Sequence, residues 1–392
     1  MNGTPAIVTA KSLFDGSRLF DDPVVALEDG RVASISTRAA GALPAGARIL
    51  DFPGATLAPA FFDIHIHGAA GHDVMEATAD ALGAVGSFLA SRGTGSFLAT
   101  TVTAPLDATL RAVEGLAKLI ERPGSNASAR ILGIHLEGPF LSHEKRGVQP
   151  AEHLLKPSIA TFDKLVDAGQ GHVRLITIAP ELAGAEELTA HATRRGVRVS
   201  LGHSNAKAAD ARAAIAAGAA SATHTFNAMR PLDHQEPGIL GTVLTDDSLY
   251  SELICDGVHS RPEITRLWWR AKGPDRAILV TDAMSAAGMP DGEYQLGGFA
   301  VQVANGRASR DGVLAGSVLT LDRALMNFLA FTGASVHQGL PLLAANPATM
   351  LGLENEAGFL APGRRANLIA VSPEGKLVAS VVNGAVAAGL EA

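Results

Sequence analysis

Between residues 61 and 280 of this 392-residue chain, short apolar runs recur eight times, most of them separated by stretches with helical spacing. The runs fall at 61–66, 96–100, 131–136, 173–178, 198–201, 222–225, 250–254 and 277–280; helical patterns occupy 79–91, 106–119, 160–167, 183–195, 206–216 and 263–271. Strands buried on both faces read as continuous apolar runs, and parallel neighbours must be joined by long, usually helical, crossovers. The alternation therefore predicts a parallel α/β fold. Eight units over roughly 220 residues predict a (β/α)8 TIM-type barrel, with an open doubly wound sheet as the alternative. In such a barrel the chemistry belongs at the C-terminal ends of the strands.

The flanks have a different texture. Short β patterns at 6–9, 24–27 and 32–35 are separated by turn signals at Asp15-Gly16, Asp29-Gly30 and Pro53-Gly54. Beyond the eighth run, 294–303 reads as an inserted hairpin and 317–353 as three helices, while 366–371 and 377–382 read as strands about a Glu374-Gly375 turn. Because chain ends tend to lie close together, residues 1–56 plus 359–392 are expected to form one small β-sandwich domain beside a barrel domain of 57–358.

Net charge is −7 and no stretch gathers Lys and Arg, so neither nucleic acid nor an acidic membrane surface is expected as a partner. Residues 1–16 carry no secretory pattern. The uncharged run 324–353 is broken by Gly333, Pro341 and Pro347, as buried helices would be. Cys255 is the single cysteine and reads as a buried strand thiol. A cytoplasmic protein is expected.

His65 and His67 sit two apart at the end of the first run, where a strand projects both side chains to one face. Glu137 closes the third run, His203 follows the fifth and His224 follows the sixth. Imidazoles with one carboxylate, leaving a position open for water, are what a hydrolytic divalent-metal site needs. Asp282, just past the eighth run, can take a proton from that water and return it to the departing group. Zinc is the first expectation, with iron, manganese or cobalt as alternatives, at one or two ions per subunit.

These residues lie in a set of motifs: Phe62-Asp63-Ile64-His65-Ile66-His67-Gly68, His135-Leu136-Glu137-Gly138-Pro139, Leu201-Gly202-His203-Ser204-Asn205, Thr223-His224-Thr225-Phe226-Asn227-Ala228-Met229, Cys255-Asp256-Gly257-Val258-His259 and Leu279-Val280-Thr281-Asp282-Ala283. In this order they resemble the amidohydrolase superfamily and, within it, the N-acetylglucosamine-6-phosphate deacetylase family. The resemblance implies hydrolysis of N-acetylglucosamine 6-phosphate to glucosamine 6-phosphate and acetate. It also implies metal ligation by Glu137, His203 and His224, a second ion at His65 and His67 with Glu137 bridging, and Asp282 as acid and base. The substrate contacts it implies are Val148, Asn227, Ala228, His259, Leu314, Ala315 and Gly316, in a homodimer with the site near the interface.

The chain departs from the family at Gln235, where an arginine from the neighbouring subunit usually grips the phosphate. A neutral amide cannot replace a bidentate guanidinium. His234, Arg230 or Lys145-Arg146 could supply the cation, or the substrate could be an unphosphorylated N-acetyl amino sugar or another N-acyl compound. Gln149 stands where family members lacking the paired histidines carry a histidine thought to polarise the carbonyl. His135 shares a strand face with Glu137, and Trp268-Trp269 read as core or subunit interface.

Overall fold

The computed structural model describes residues 6–40, 46–122 and 127–389; the ends of the predicted terminal unit, 1–5 and 390–392, and its residues 41–45 lie outside them. The eight runs are eight strands, Phe61–Ile66, Thr94–Thr101, Arg130–Glu137, Val173–Ile178, Arg198–Leu201, Ser221–Ala222, Tyr250–Ile254 and Ala277–Val280, each hydrogen-bonded to its neighbour in sequence. The ring closes at its C-terminal end, where the Asp282 N–H donates to the His65 carbonyl and the His67 N–H to that of Ala283. It is a (β/α)8 barrel. Helix Ala79–Ser91 shows how the outer layer docks: Thr78 caps it by accepting from the Ala81 N–H, and Ala81, Val85 and Leu89 turn one apolar stripe to the barrel.

Two elements differ from expectation for identifiable reasons. The sixth strand is only Ser221–Ala222, because the backbone turns into the left-handed region at His224 and Phe226. Helix Gly238–Thr245 had no sequence signal because it is apolar nearly all round, so no amphipathic period marks it.

Both chain ends build one further sheet. Its order in space is Arg31–Thr37, Pro23–Glu28, Ala6–Phe14, Arg48–Pro59, Leu368–Val371, Leu377–Val382 and Ala385–Ala388, with Leu19–Asp21 paired to Ala6–Phe14. Val32 also exchanges backbone hydrogen bonds with Gly363 and Arg364, so the sheet curls around a core that includes Val8, Leu13, Val25, Leu57 and Leu368. Pro53-Gly54, expected as a turn, instead lies inside the 12-residue strand Arg48–Pro59. It is absorbed opposite a register shift between Ala10 and Ser12, the irregularity that lets a proline sit in a strand. Only Ala60 separates that strand from the first barrel strand.

The inserted hairpin is a four-stranded antiparallel sheet, Gly292–Leu296, Phe299–Ala304, Arg307–Arg310 and Val313–Leu314. Helices Leu321–Thr332, Val336–Leu343 and Ala345–Leu351 follow it. Trp268 is buried, its indole N–H donating to Ser251 Oγ at 2.7 Å, and Trp269 packs edge-on against Phe328. Cys255 is buried, and burial pushes its thiol up to about 12. Among the described residues no helix is long and apolar enough to cross a membrane.

Candidate metal centre

Three histidines are fixed from behind. His65 Nδ1 donates to Glu252 Oε2 at 3.2 Å, His67 Nδ1 to the Thr100 carbonyl at 3.0 Å and His203 Nδ1 to the Lys145 carbonyl at 2.9 Å. A carbonyl or carboxylate oxygen only accepts, so each Nδ1 carries the proton and each Nε2 offers its lone pair at the opposite corner of the ring. His203, His224 and Asp282 leave their strands through left-handed backbone, φ 48°, 28° and 49°. Such conformations cost on the order of 1–3 kcal/mol each and persist where the surroundings impose them.

The side chains form two triads, Glu137 with His203 and His224, and His65 with His67 and Asp282; within each, the ligand atoms lie within 4.8 Å of one another. Glu137 joins them. Its Oε1 is 3.1 Å from Nε2 of both His203 and His224, and its Oε2 is 3.4 Å from Nε2 of His67. His67 Nε2 is also 3.1 Å from Asp282 Oδ1.

This set fits a cation. Nε2 of His203 and of His224 are 3.1 Å apart, and Nε2 of His65 is buried with no hydrogen-bond partner among the described residues. Burial opposes ionisation of both carboxylates, yet the electrostatic attraction and hydrogen bonds of the surrounding imidazoles, His65 first, outweigh it, holding Glu137 well below and Asp282 below the ordinary carboxylate range. Nitrogen and carboxylate oxygen in this ratio suit zinc, iron, manganese or cobalt.

The triads open into a cavity of about 380 Å³, within the range of about 300–1,000 Å³ usual for small ligands. Val148, Asn227, Ala228, His259, Leu314 and Gly316 line it, and the inserted sheet forms one wall through Leu296, Phe299 and Val313. Of the remaining expected contacts, Ala315 is fully buried among Val301, Ala308 and their neighbours and does not line the cavity, while Gln235 is exposed on a loop outside it. Among the candidate replacement cations, only Lys145 lines the cavity; Arg146 lines an adjoining outer cleft, and His234 and Arg230 line neither. His259 Nδ1 is held by Asp256 Oδ2 at 2.7 Å.

Three further buried residues surround the centre, of which Asp63 and Glu252 had been given no role. Gln149 is buried; its amide N–H donates to Glu137 Oε2 at 2.6 Å and its oxygen accepts from the Thr103 N–H. Asp63 accepts from the Thr281 hydroxyl at 2.6 Å, tying the first strand to the eighth, and burial pushes its carboxyl up to about 7 despite that bond. Glu252 lies behind His65. A charged residue inside the apolar runs Phe61–Ile66 and Tyr250–Ile254 was the signal for the last two. His135 is neutral, because burial above all holds it well below the ordinary imidazole value.

The sequence profile of the amidohydrolase family matches residues 56–389, from within the terminal-sheet strand Arg48–Pro59 through the whole barrel to just past the last strand of that sheet. The chain belongs to the amidohydrolase family. This amidohydrolase is 37% identical over 366 residues to an N-acetylgalactosamine-6-phosphate deacetylase of Escherichia coli, covering 93% of this chain and 94% of the relative. It is 36% identical over 369 residues to the N-acetylglucosamine-6-phosphate deacetylase of Bacillus subtilis, covering 93% and 92%. Its structure superposes with a TM-score of 0.91 on a mutant N-acetyl-D-glucosamine-6-phosphate deacetylase of Mycobacterium smegmatis in complex with N-acetyl-D-glucosamine-6-phosphate, at 35% identity, covering 98% of this chain and 100% of that one.

Proposed function

We propose that this amidohydrolase hydrolyses the acetamide of an N-acetylhexosamine 6-phosphate, with N-acetylglucosamine 6-phosphate as the first choice, releasing acetate and the amino sugar phosphate. The observation that carries the reading is the pair of triads sharing Glu137, with Asp282 beside them, at the floor of a sugar-sized cavity. Relatives named for both the gluco and the galacto sugar lie at nearly equal identity.

Glu137, His203 and His224 would hold one divalent ion, zinc first, and His65 and His67 a second; bound there, the metal supplies Lewis acidity to the attacking water and the amide carbonyl. Asp282, whose carboxyl lies below the ordinary carboxylate range beside these imidazoles, is the base that takes the water proton. As the C–O bond forms and the C–N bond breaks, the same carboxyl gives that proton to the departing nitrogen, so the amine leaves neutral. Asn227, Ala228, Val148, Leu314 and Gly316 position the sugar, and His259, backed by Asp256, offers Nε2 to its far end.

Two features bear on the phosphate. Lys145 supports a phosphorylated substrate, whereas the neutral and exposed Gln235 favours a second reading, an unphosphorylated N-acetyl amino sugar or other N-acyl compound. A homodimer with its interface at the cavity mouth is supported by exposed Leu232 and Val258, beside the Gln235 loop and His259 respectively. A charged sugar phosphate does not cross a membrane unaided, which supports a cytoplasmic setting. The test is acetate release from N-acetylglucosamine and N-acetylgalactosamine, each with and without the 6-phosphate. The highest kcat/KM is expected for a phosphorylated sugar; preference for the free sugars overturns that choice.

A further inference from the structure

Glu252 lies on the seventh barrel strand, fully buried, and no Lys or Arg pairs with it among the described residues. A carboxylate in such a place is costly unless something compensates it. One oxygen makes both of its side-chain contacts: Oε2 accepts from His65 Nδ1 at 3.2 Å and from the His224 backbone N–H at 3.2 Å, while Oε1 has no partner among the described residues. The imidazole of His65 is thus the one charge-capable group it serves.

What this does to His65 follows from the tautomer. Its Nε2 stands 3.4 Å from Glu137 Oε1 and 3.6 Å from Asp282 Oδ1 without hydrogen-bond geometry to either. Were the ring proton on Nε2, it would point at these two carboxylates and stand in the place of an ion. With the proton committed to Glu252 on the other side of the ring, Nε2 is available only as a ligand, and its basicity is raised by the carboxylate behind it.

We propose that Glu252 is the positioning residue that creates the second ion site, by holding His65 in its ligating tautomer. The effect is asymmetric, since His224 of the other triad meets Glu252 through its backbone alone. This rests on the two-ion reading above.

The test is titration of the metal-free protein with Co2+, with elemental analysis of the loaded protein. Glu252→Met fills the same space without an acceptor; Glu252→Gln keeps an oxygen where Oε2 stands and places its amide nitrogen where Oε1 has no partner. Wild type is expected to bind two ions. Glu252→Met should weaken one of them by about 10- to 100-fold and leave the other unchanged, and Glu252→Gln should restore most of the loss. Two ions of unchanged affinity in Glu252→Met, or equal weakening of both, refutes the role of Glu252 while leaving the two triads standing. A single ion in wild type overturns the two-ion reading and this inference with it.

Discussion

Replacing Asp282 by asparagine separates proton transfer from everything else that this residue does. Asparagine has the same shape, keeps an oxygen toward His67 Nε2, now 3.1 Å from Oδ1, and tolerates the left-handed φ of 49°. The backbone bonds that Asp282 makes, to the His65 carbonyl and from the Ser317 N–H, are untouched. What disappears is the carboxyl that, in the proposed mechanism, carries a proton from water to nitrogen. A positioned acid–base group is worth about 10²- to 10⁴-fold, or about 2.7–5.4 kcal/mol of barrier at about 1.36 kcal/mol per decade. Steady-state acetate release with N-acetylglucosamine 6-phosphate should therefore show kcat reduced at least about a hundredfold, with KM changed less than about threefold. Metal content, measured on the same preparation, should still include the ion of Glu137, His203 and His224. A fully loaded variant with kcat within about tenfold of wild type would refute the assignment of the proton to Asp282.

The paired change His65→Ala with His67→Ala should lower the metal content by about one ion per chain; an unchanged count in elemental analysis contradicts a second site. Gln235→Arg should lower KM for the 6-phosphate by about tenfold, roughly the worth of one charge-assisted hydrogen bond, and leave the free sugar unaffected. Equal change for both sugars would remove Gln235 from phosphate recognition. Cys255, buried and held near 12, should resist an aromatic disulfide reagent at neutral pH in the native protein and react with one equivalent after denaturation. Rapid reaction of native protein contradicts its placement.

The gathering of the candidate ligands could be read in advance because they occur where strands end. His65, His67, Glu137, His203, His224 and Asp282 each close or follow an apolar run, and a barrel gathers such positions at one mouth whatever their separation along the chain. Gln149 was singled out by resemblance, but its burial was not legible: it lies in a loop, where burial depends on how 138–150 folds back over Glu137 and no periodicity records that. Gln235 and Ala315 were assigned by resemblance alone, and within one chain neither borders the cavity. The strand Arg48–Pro59 was hidden because a proline and a glycine signal a turn locally, while its pairing on both sides comes from segments far away. Helix Gly238–Thr245 was hidden because burial on all sides erases the periodic signature.

The curled sheet has a consequence for how the molecule is made. Arg48–Pro59 pairs on one edge with Leu368–Val371, roughly 300 residues later, so during synthesis at about 5–20 residues per second that edge stays open for tens of seconds. It is also the rail that runs, through Ala60, into the strand carrying His65 and His67. An unpaired apolar edge is a template for intermolecular pairing. The nascent chain is therefore most exposed to aggregation after its barrel sequence has emerged and before its last strands arrive. Truncations near the C-terminus, far in sequence from any ligand, should appear first as a loss of yield.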